Sequence, residues 1–264
     1  MAAKTPLKLY WSRSKPNFGD WLSPAICAAI SGRSIEYVEP NGCDLVAIGS
    51  ILHRVKHGWW TRAVHVWGSG FIEEVAPRRG KHFYHAVRGR KTAALLQGAE
   101  VQALGDPGLL CDLLVPDYKS IPKQHALGII PHYQDKGYPA VVSGAAQRPG
   151  AKVLDVFTEL PGLLREIAAC EMILSSSLHG LIVADAFGIP NAWIKVSGEL
   201  RGGDFKFHDY YSAFGINNPQ PLGLNEGLTA SALAELAQRY ERPGLAELKL
   251  SLLASFPFPP GRIG

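Results

Sequence analysis

The sequence predicts an α/β protein built on largely parallel sheet. Short apolar, β-prone segments recur ahead of glycine-bearing loops, and helical patterns lie between several of them. That alternation is what a parallel sheet covered by helices requires, a Rossmann-like arrangement. The pattern breaks once, from Leu114 to His125, where two prolines, charges and little periodicity read as a linker. At 264 residues the chain can form one large domain or two compact ones. The break favours two, residues 1–118 and 119–264.

Taken in order, Leu7–Trp11 reads as the first strand, Asn17-Phe18-Gly19-Asp20 as a turn into a helix, and Trp21–Ile30 as that helix. Leu45–Ile48, Val64–Trp67 and His82–Val87 follow as strands, Lys91–Leu96 as a helix and Val101–Leu104 as a strand. Beyond the linker, Ala126–Ile130, Lys152–Phe157, Glu171–Leu174 and Ala192–Val196 resume the strand pattern, with Leu160–Cys170 and Leu178–Phe187 as helices. Phe205–Tyr211 reads as a glycine-flanked loop, and Leu228–Tyr240 and Pro243–Ala254 as closing helices.

Composition narrows the function. Charged residues at 19% and apolar ones at 47% argue for a folded chain, and a net charge of +4 without a basic stripe does not call for nucleic acid. Cys27, Cys43, Cys111 and Cys170 form no Cys-x-x-Cys pair, so neither a disulfide framework nor a zinc knuckle is indicated, and four buried thiols in a reducing cytoplasm are expected. No apolar run is long enough to cross a bilayer, so a soluble or peripheral protein is expected. His53 and His57 have i, i+4 spacing but no third ligand, so no metal is expected. A Gly-x-Gly-x-x-Gly or Walker loop is likewise missing, since Gly68-Ser69-Gly70 continues as Phe71-Ile72-Glu73.

Polar and glycine residues collect at the ends of the proposed strands, where open α/β sheets bind ligands: Gly49-Ser50, Ser69, Arg88-Gly89-Arg90, Gly105-Asp106 and Pro131-His132-Tyr133. Ser175-Ser176-Ser177-Leu178-His179-Gly180 is the richest of these ends. It presents His179 at a helix entrance where hydroxyls and free amides favour phosphate or carboxylate, and the helix dipole disfavours imidazolium. Acid/base chemistry on an anion is one reading; a histidine that merely starts a buried helix is the other.

Arg88, Arg90 and Lys91 sit ahead of a second helix entrance and can converge on an anion, or simply be solvated. Asp20 can cap its helix, while Asn17 and Gly19 let the backbone turn closely round a ligand. Asp106 can orient a sugar hydroxyl or hold its own turn. Lys206, Asp209 and Tyr210 belong to an aromatic, charged segment suited to sugar rings, with core packing of Phe207 and Tyr210 as the plain alternative. Trp59-Trp60 offers a carbohydrate or membrane contact, or packing.

In order and combination these motifs resemble the polysaccharide pyruvyl transferase family, in particular bacterial exopolysaccharide ketal pyruvyl transferases of the xanthan and succinoglycan type. The resemblance rests on Asn17–Asp20, Ile48–Leu52, Trp67–Gly70, Val87–Thr92, Gly105–Leu110, Ile130–Tyr133, Ser175–Gly180 and Phe205–Tyr211. It implies two Rossmann-like domains facing a cleft, as in B-type glycosyltransferases. It further implies phosphoenolpyruvate as donor, a hexose of a lipid-linked oligosaccharide at the inner membrane face as acceptor, and no cofactor. His179 would be the acid/base residue, protonating the enolpyruvyl methylene carbon, and Arg88 a donor ligand. Ser176, Ser177 and Gly180 would add to the donor side; Asn17, Asp20, Ser69, Asp106, His132, Lys206, Asp209 and Tyr210 would line the acceptor side or the cleft. Many members of the wider family carry arginine two residues before this histidine, where this chain has Ser177. Arg90, Lys91 or Lys206, or the serine hydroxyls with the helix amides, are then the candidates to hold the phosphate. A nucleotide-sugar glycosyltransferase and a non-catalytic sugar- or anion-binding partner remain as alternatives.

Overall fold

The computed structural model describes residues 5–13, 17–58, 60–138, 141, 148–196, 203–223 and 229–258. Eight strands precede the linker: β1 (Leu7–Tyr10), β2 (Ile35–Tyr37), β3 (Leu45–Val46), β4 (His65–Trp67), β5 (Arg78–Arg79), β6 (Phe83–Val87), β7 (Leu96–Gln97) and β8 (Val101–Leu104). Six of them form a sheet in the order β2-β1-β3-β4-β6-β8, and β5 pairs with β7 apart from it. Five strands follow the linker: β9 (Leu127–Ile130), β10 (Ala151–Val153), β11 (Ile173–Ser175), β12 (Asn191–Lys195) and β13 (Leu222–Gly223), in the order β10-β9-β11-β12-β13. Every pairing in both sheets is parallel. The expected α/β class with parallel sheet is what the chain adopts.

The helices are α1 (Phe18–Ser31), α2 (Arg90–Ala94), α3 (Leu160–Ala168), α4 (Leu178–Ala186), α5 (Phe205–Ala213), α6 (Ala230–Gln238) and α7 (Leu245–Ala254). Helix α1 starts at Asn17, whose side chain accepts from the Asp20 amide, and stops at Gly32 in the left-handed conformation. Phe18, Leu22, Ile26 and Ile30 recur every fourth residue along its buried face. Each such side chain contributes about 1.5–3 kcal/mol on burial, enough together to outweigh the roughly 3 kcal/mol that Pro24 costs inside the helix.

One apolar core runs between the sheets, joining Leu22 and Ile26 of α1 to Leu109 and Leu110 of a 3₁₀ turn (Pro107–Leu114) and to Leu181 and Ile182 of α4. The last helix returns to the first sheet, where the Leu252 carbonyl accepts from Trp67 Nε1 at 2.9 Å. Helix α7 therefore packs with the first sheet although it follows the linker. All four cysteines are free and buried. Among the described residues no helix is long and apolar enough to cross a membrane.

The segment read as a loop, Phe205–Tyr211, is helix α5. Phe207 stacks on Trp193 with ring centroids 4.3 Å apart, and Phe207, Asp209 and Tyr210 are fully buried. Burial on several faces erases the one-sided periodicity by which a helix is recognised in sequence.

Candidate active site

Both sheets reverse their strand order once. Strand β1 has β2 on one side and β3 on the other, and β9 has β10 and β11 in the same way. A crevice opens beyond the carboxyl ends of strands at such a reversal. A cavity of about 210 Å³ lies there, lined by Ser12 and Ser50 after β1 and β3 and by His132, Ser177 and His179 after β9 and β11. Both reversals contribute to a single pocket.

His179 is the second residue of α4, and its ring lies against the backbone of Gly19: a Cβ on that glycine would come within 2.2 Å of His179 Nδ1. Its Nε2 is buried and has no hydrogen-bond partner among the described residues. Burial, followed by the charges of Lys206, Arg88 and His132, pushes its pKa down to about 3, so at neutral pH the ring is uncharged. The sequence attributed that neutrality to the helix dipole; desolvation is the larger cause. An uncharged imidazole keeps a ring-nitrogen lone pair that can take a proton.

The three serines divide their work. Ser175 Oγ donates to the Ile130 carbonyl at 2.8 Å and accepts from the Ser177 amide at 3.0 Å. Ser176 Oγ donates to Asp135 Oδ2 at 2.7 Å and accepts from the His132 amide at 2.9 Å, so it stitches the β9 loop to the β11 loop from a fully buried position. Ser177 is the N-cap of α4, makes no side-chain capping bond and lines the pocket. Gly180 makes room for Ser175: a Cβ there would lie 2.4 Å from Ser175 Oγ. Ser176 and Gly180 thus shape the loop rather than face the pocket, a correction to their expected donor contacts.

Lys206 projects from α5 into the pocket. It is 8% exposed, and its ammonium makes no ion pair or hydrogen bond among the described residues. Burial and the nearby Arg88 charge lower its pKa to about 8, against Asp135 and Asp204. His132 also lines the pocket, its pKa lowered to about 4 by burial and by Lys206. Asp20 also lines the pocket, with Oδ2 accepting from Asn17 Nδ2 at 2.6 Å. Burial raises its pKa to about 7, although the Asn17 bond and Arg54 pull it down.

Arg88 is not at the pocket surface. It is fully buried, with Nε donating to Asp209 Oδ2 at 2.9 Å, Nη2 to the Phe71 carbonyl and Nη1 to Ser50 Oγ. Asp209 also accepts from the Thr92 amide at 2.8 Å and from Thr92 Oγ1 at 2.7 Å. The anion that satisfies the α2 entrance and Arg88 is therefore the chain's own carboxylate. Gly89 permits the approach, since a Cβ there would lie 1.7 Å from the Asp209 carbonyl oxygen. Arg90 is tied to Ser212 through its amide and Nε, and Lys91 is exposed on α2. None of the three cations lines the pocket, so the donor clamp expected of them is not assembled here.

The remaining expectations sort by burial. Asn17 and Asp20 line the pocket. Ser69 is buried, with Oγ donating to the Gly49 carbonyl at 2.8 Å. Asp106 holds its own turn through the Gly108 amide at 2.9 Å and is fully buried, its pKa raised by burial to about 6. Tyr210 donates to Asp185 Oδ2 at 2.6 Å in a network that also takes Tyr240 and Arg242. Ser69, Asp106, Asp209 and Tyr210 present no face to the pocket, and the aromatic segment is interior structure rather than an acceptor platform. His57 packs against His82 with centroids 4.6 Å apart while His53 lines the pocket, because only residues 52–54 are helical and i, i+4 spacing has no common face beyond them. Trp59 lies outside the described residues; Trp60 is exposed.

A family model for polysaccharide pyruvyl transferases matches residues 5–198, about three quarters of the chain. The chain belongs to that family. It is 29% identical over 219 residues to the succinoglycan biosynthesis protein ExoV of Rhizobium meliloti (strain 1021), covering 78% of this chain and 64% of that protein. It is 35% identical over 142 residues to the uncharacterized protein L143 of Acanthamoeba polyphaga mimivirus, covering 52% of this chain and 50% of that protein. The chain thus spans between half and two thirds of the length of these curated relatives. The matched region holds His179 and every other pocket residue named above except Lys206.

Sequence reasoning missed Ser12 and Arg54. Arg54 lines the pocket from the turn after β3, with Nη1 donating to Tyr10 Oη at 2.8 Å. The same rule that singled out Gly49-Ser50 as a strand end reaches Arg54 when extended through the turn that follows.

Proposed function

We propose that this family member transfers a pyruvyl group from phosphoenolpyruvate to a hexose of an exopolysaccharide repeat unit carried on lipid, closing a cyclic ketal. The convergence on the entrance of α4 of an imidazole whose Nε2 meets no partner and of a Lys206 ammonium with no ion pair, both among the described residues, carries the reading. The amides of Leu178 and His179 meet no acceptor among the described residues, so the first turn of α4 offers donors to a phosphate or carboxylate. Lys206 adds the charge that Ser177 does not supply, and Arg54 a second cation in the same pocket. Arg88 acts behind them by holding Ser50 and α5.

In this reading the two sheets are the cores of two Rossmann-like domains, residues 1–118 and 119–264, that meet at the pocket as in B-type glycosyltransferases. The reaction adds a proton to the methylene carbon and a sugar oxygen to the neighbouring carbon, then expels phosphate as a second hydroxyl of the same sugar closes the ring. The cations offset the donor's negative charge throughout, and His179 Nε2 accepts a proton. The acceptor's lipid anchor places the work at the inner face of the membrane, with the protein in the cytoplasm.

Purified protein, phosphoenolpyruvate and a lipid-linked oligosaccharide should yield inorganic phosphate and a glycan heavier by one pyruvate less one water. Phosphoenolpyruvate at about a hundred times its dissociation constant should stabilise the fold by about 2.7 kcal/mol, a rise in Tm of roughly 5–10 °C. A rise with nucleoside diphosphates and none with phosphoenolpyruvate would replace this reading by sugar transfer from a nucleotide. Donor binding without turnover would make the chain a binding partner.

A further inference from the structure

Asp20 is a pocket carboxyl to which pyruvyl transfer, as set out above, gives no task. Its sequence position suggested a helix cap, but Asn17 is the cap: Asn17 Oδ1 accepts from the Asp20 amide at 3.2 Å. The Asp20 carboxyl is left to face the cavity. Its Oδ2 is held by Asn17 Nδ2, and its Oδ1 has no hydrogen-bond partner among the described residues. It follows directly on Gly19, the residue against which the His179 ring lies, so α1 and α4 bring a carboxyl and an imidazole into one pocket.

Adding a proton and a hydroxyl oxygen across a carbon–carbon double bond requires one group that gives a proton and one that takes one. The His179 ring, uncharged at neutral pH, keeps one nitrogen lone pair and would give up its single N–H only by becoming imidazolate, and its Nε2 meets no hydrogen-bond partner among the described residues. We propose that Asp20 is the general acid of the site, protonating the methylene carbon of the enolpyruvyl group while His179 takes the proton of the attacking hydroxyl. The assignment rests on the pyruvyl-transfer reading above.

The protons balance over one turnover. The Asp20 O–H bond breaks as the methylene carbon gains its hydrogen, leaving a carboxylate and an oxocarbenium-like centre. The first sugar hydroxyl forms a C–O bond there and passes its proton to His179. Phosphate leaves with that proton, and the second hydroxyl closes the ketal and returns its proton to Asp20. Both groups end as they began.

The surroundings bear on this division in both directions. The titratable and charged groups that share the pocket with Asp20 are His53 and Arg54 from the turn after β3, His132 and Tyr133 from the loop after β9, His179 from α4 and Lys206 from α5. Burial favours the acid, the Asn17 bond and the Arg54 charge favour the carboxylate, and burial prevails, with the balance point at about 7. A bound phosphoenolpyruvate adds negative charge beside Asp20 and favours the acid further.

The test is the pH dependence of kcat and of kcat/KM for phosphoenolpyruvate in the wild type, Asp20→Asn, Asp20→Glu and Asn17→Ala. Asp20→Asn should lose about 10²–10⁴-fold in kcat while the thermal shift given by phosphoenolpyruvate is kept. The alkaline limb of kcat/KM near pH 7 should vanish in it, leaving only the limb near pH 8 set by Lys206. Asp20→Glu should recover part of the rate. An Asp20→Asn protein that keeps more than about a tenth of kcat, keeps the limb near pH 7 or loses donor binding in proportion overturns the assignment. Should Asp20→Asn fail to fold, Asn17→Ala decides: removing the bond that favours the carboxylate should move the limb to higher pH, and an unmoved limb overturns the assignment. Wild-type protein that releases no phosphate overturns the pyruvyl-transfer reading and this assignment with it, whereas an active wild type with an unaffected Asp20→Asn overturns this assignment alone.

Discussion

Asp209→Ala should lower the melting temperature by roughly 10–20 °C, although the residue lies one layer behind the pocket. Arg88 and Asp209 form an ion pair with both side chains fully buried. Deleting the carboxylate leaves a guanidinium out of water with Ser50 Oγ and the Phe71 carbonyl as its remaining acceptors. Breaking a buried pair in this way costs about 3–5 kcal/mol. The Thr92 amide, in the first turn of α2, loses its acceptor as well, a cap worth about 1 kcal/mol. At about 2–4 °C for each kcal/mol in a chain of this size, the total corresponds to about 8–24 °C, and the stated range is its middle. The double variant Arg88→Met with Asp209→Leu should recover most of the loss, because apolar replacement removes both desolvation penalties. Thermal and urea unfolding followed by circular dichroism measure the cycle. A fall below about 5 °C for Asp209→Ala, or a double variant whose loss equals the sum of the single ones, would refute the reasoning. The double variant, once folded, should bind phosphoenolpyruvate within about tenfold of the wild type; a larger loss would return Arg88 to the donor.

Gly19→Ala should lower kcat by more than about tenfold with a stability change of about 1–3 kcal/mol, since the new methyl must displace the His179 ring; a wild-type rate in steady-state kinetics would show that the ring position is immaterial. Donor affinity should hold below pH 8 and fall above it as the Lys206 ammonium loses its proton, and Lys206→Met should bind weakly at every pH; calorimetric titration across the range decides between this and a pH-independent affinity. Tyr210→Phe should cost about 1.5–3 kcal/mol in urea unfolding, the value of a hydrogen bond to the buried Asp185 carboxylate, without changing the Michaelis constant for the acceptor. A selective rise in that constant would restore Tyr210 to the acceptor side.

The parallel α/β architecture was legible because each strand and most helices carry their own signal. Leu7–Tyr10, Phe83–Val87 and Val101–Leu104 are short apolar runs that end at glycine or polar residues, and α1 repeats its apolar residues every fourth position between an asparagine cap and a glycine stop. Such features depend on neighbours in sequence, so a single chain displays them. His179, Ser177, His132, Asn17 and Asp20 were legible for a related reason. Ligands gather at the carboxyl ends of parallel strands, and these pocket-lining residues lie in the segments that lead from such ends into the next element. Helix α5 was not, because its burial against Trp193 on one side and α2 on another leaves no polar face to mark it.

The cation assignments show the limit most clearly. Arg88, Arg90 and Lys91 next to a helix entrance spell an anion site in sequence, and the tertiary structure fills it with Asp209, a residue 121 positions away from Arg88. Charge in sequence states what a group needs; it does not state who supplies it. Lys206 is the converse, an ordinary lysine in an aromatic segment that becomes a buried ammonium without an ion pair only when α5 docks beside α4. The pKa of Asp20 and the neutrality of His179 are decided in the same way, since desolvation is a property of everything packed around a group. The sequence by itself determined the elements and the edge of the sheets at which chemistry would gather. Only the packing of the two sheets decided which charges are spent on one another and which face the pocket, because that balance depends on partners more than a hundred residues apart.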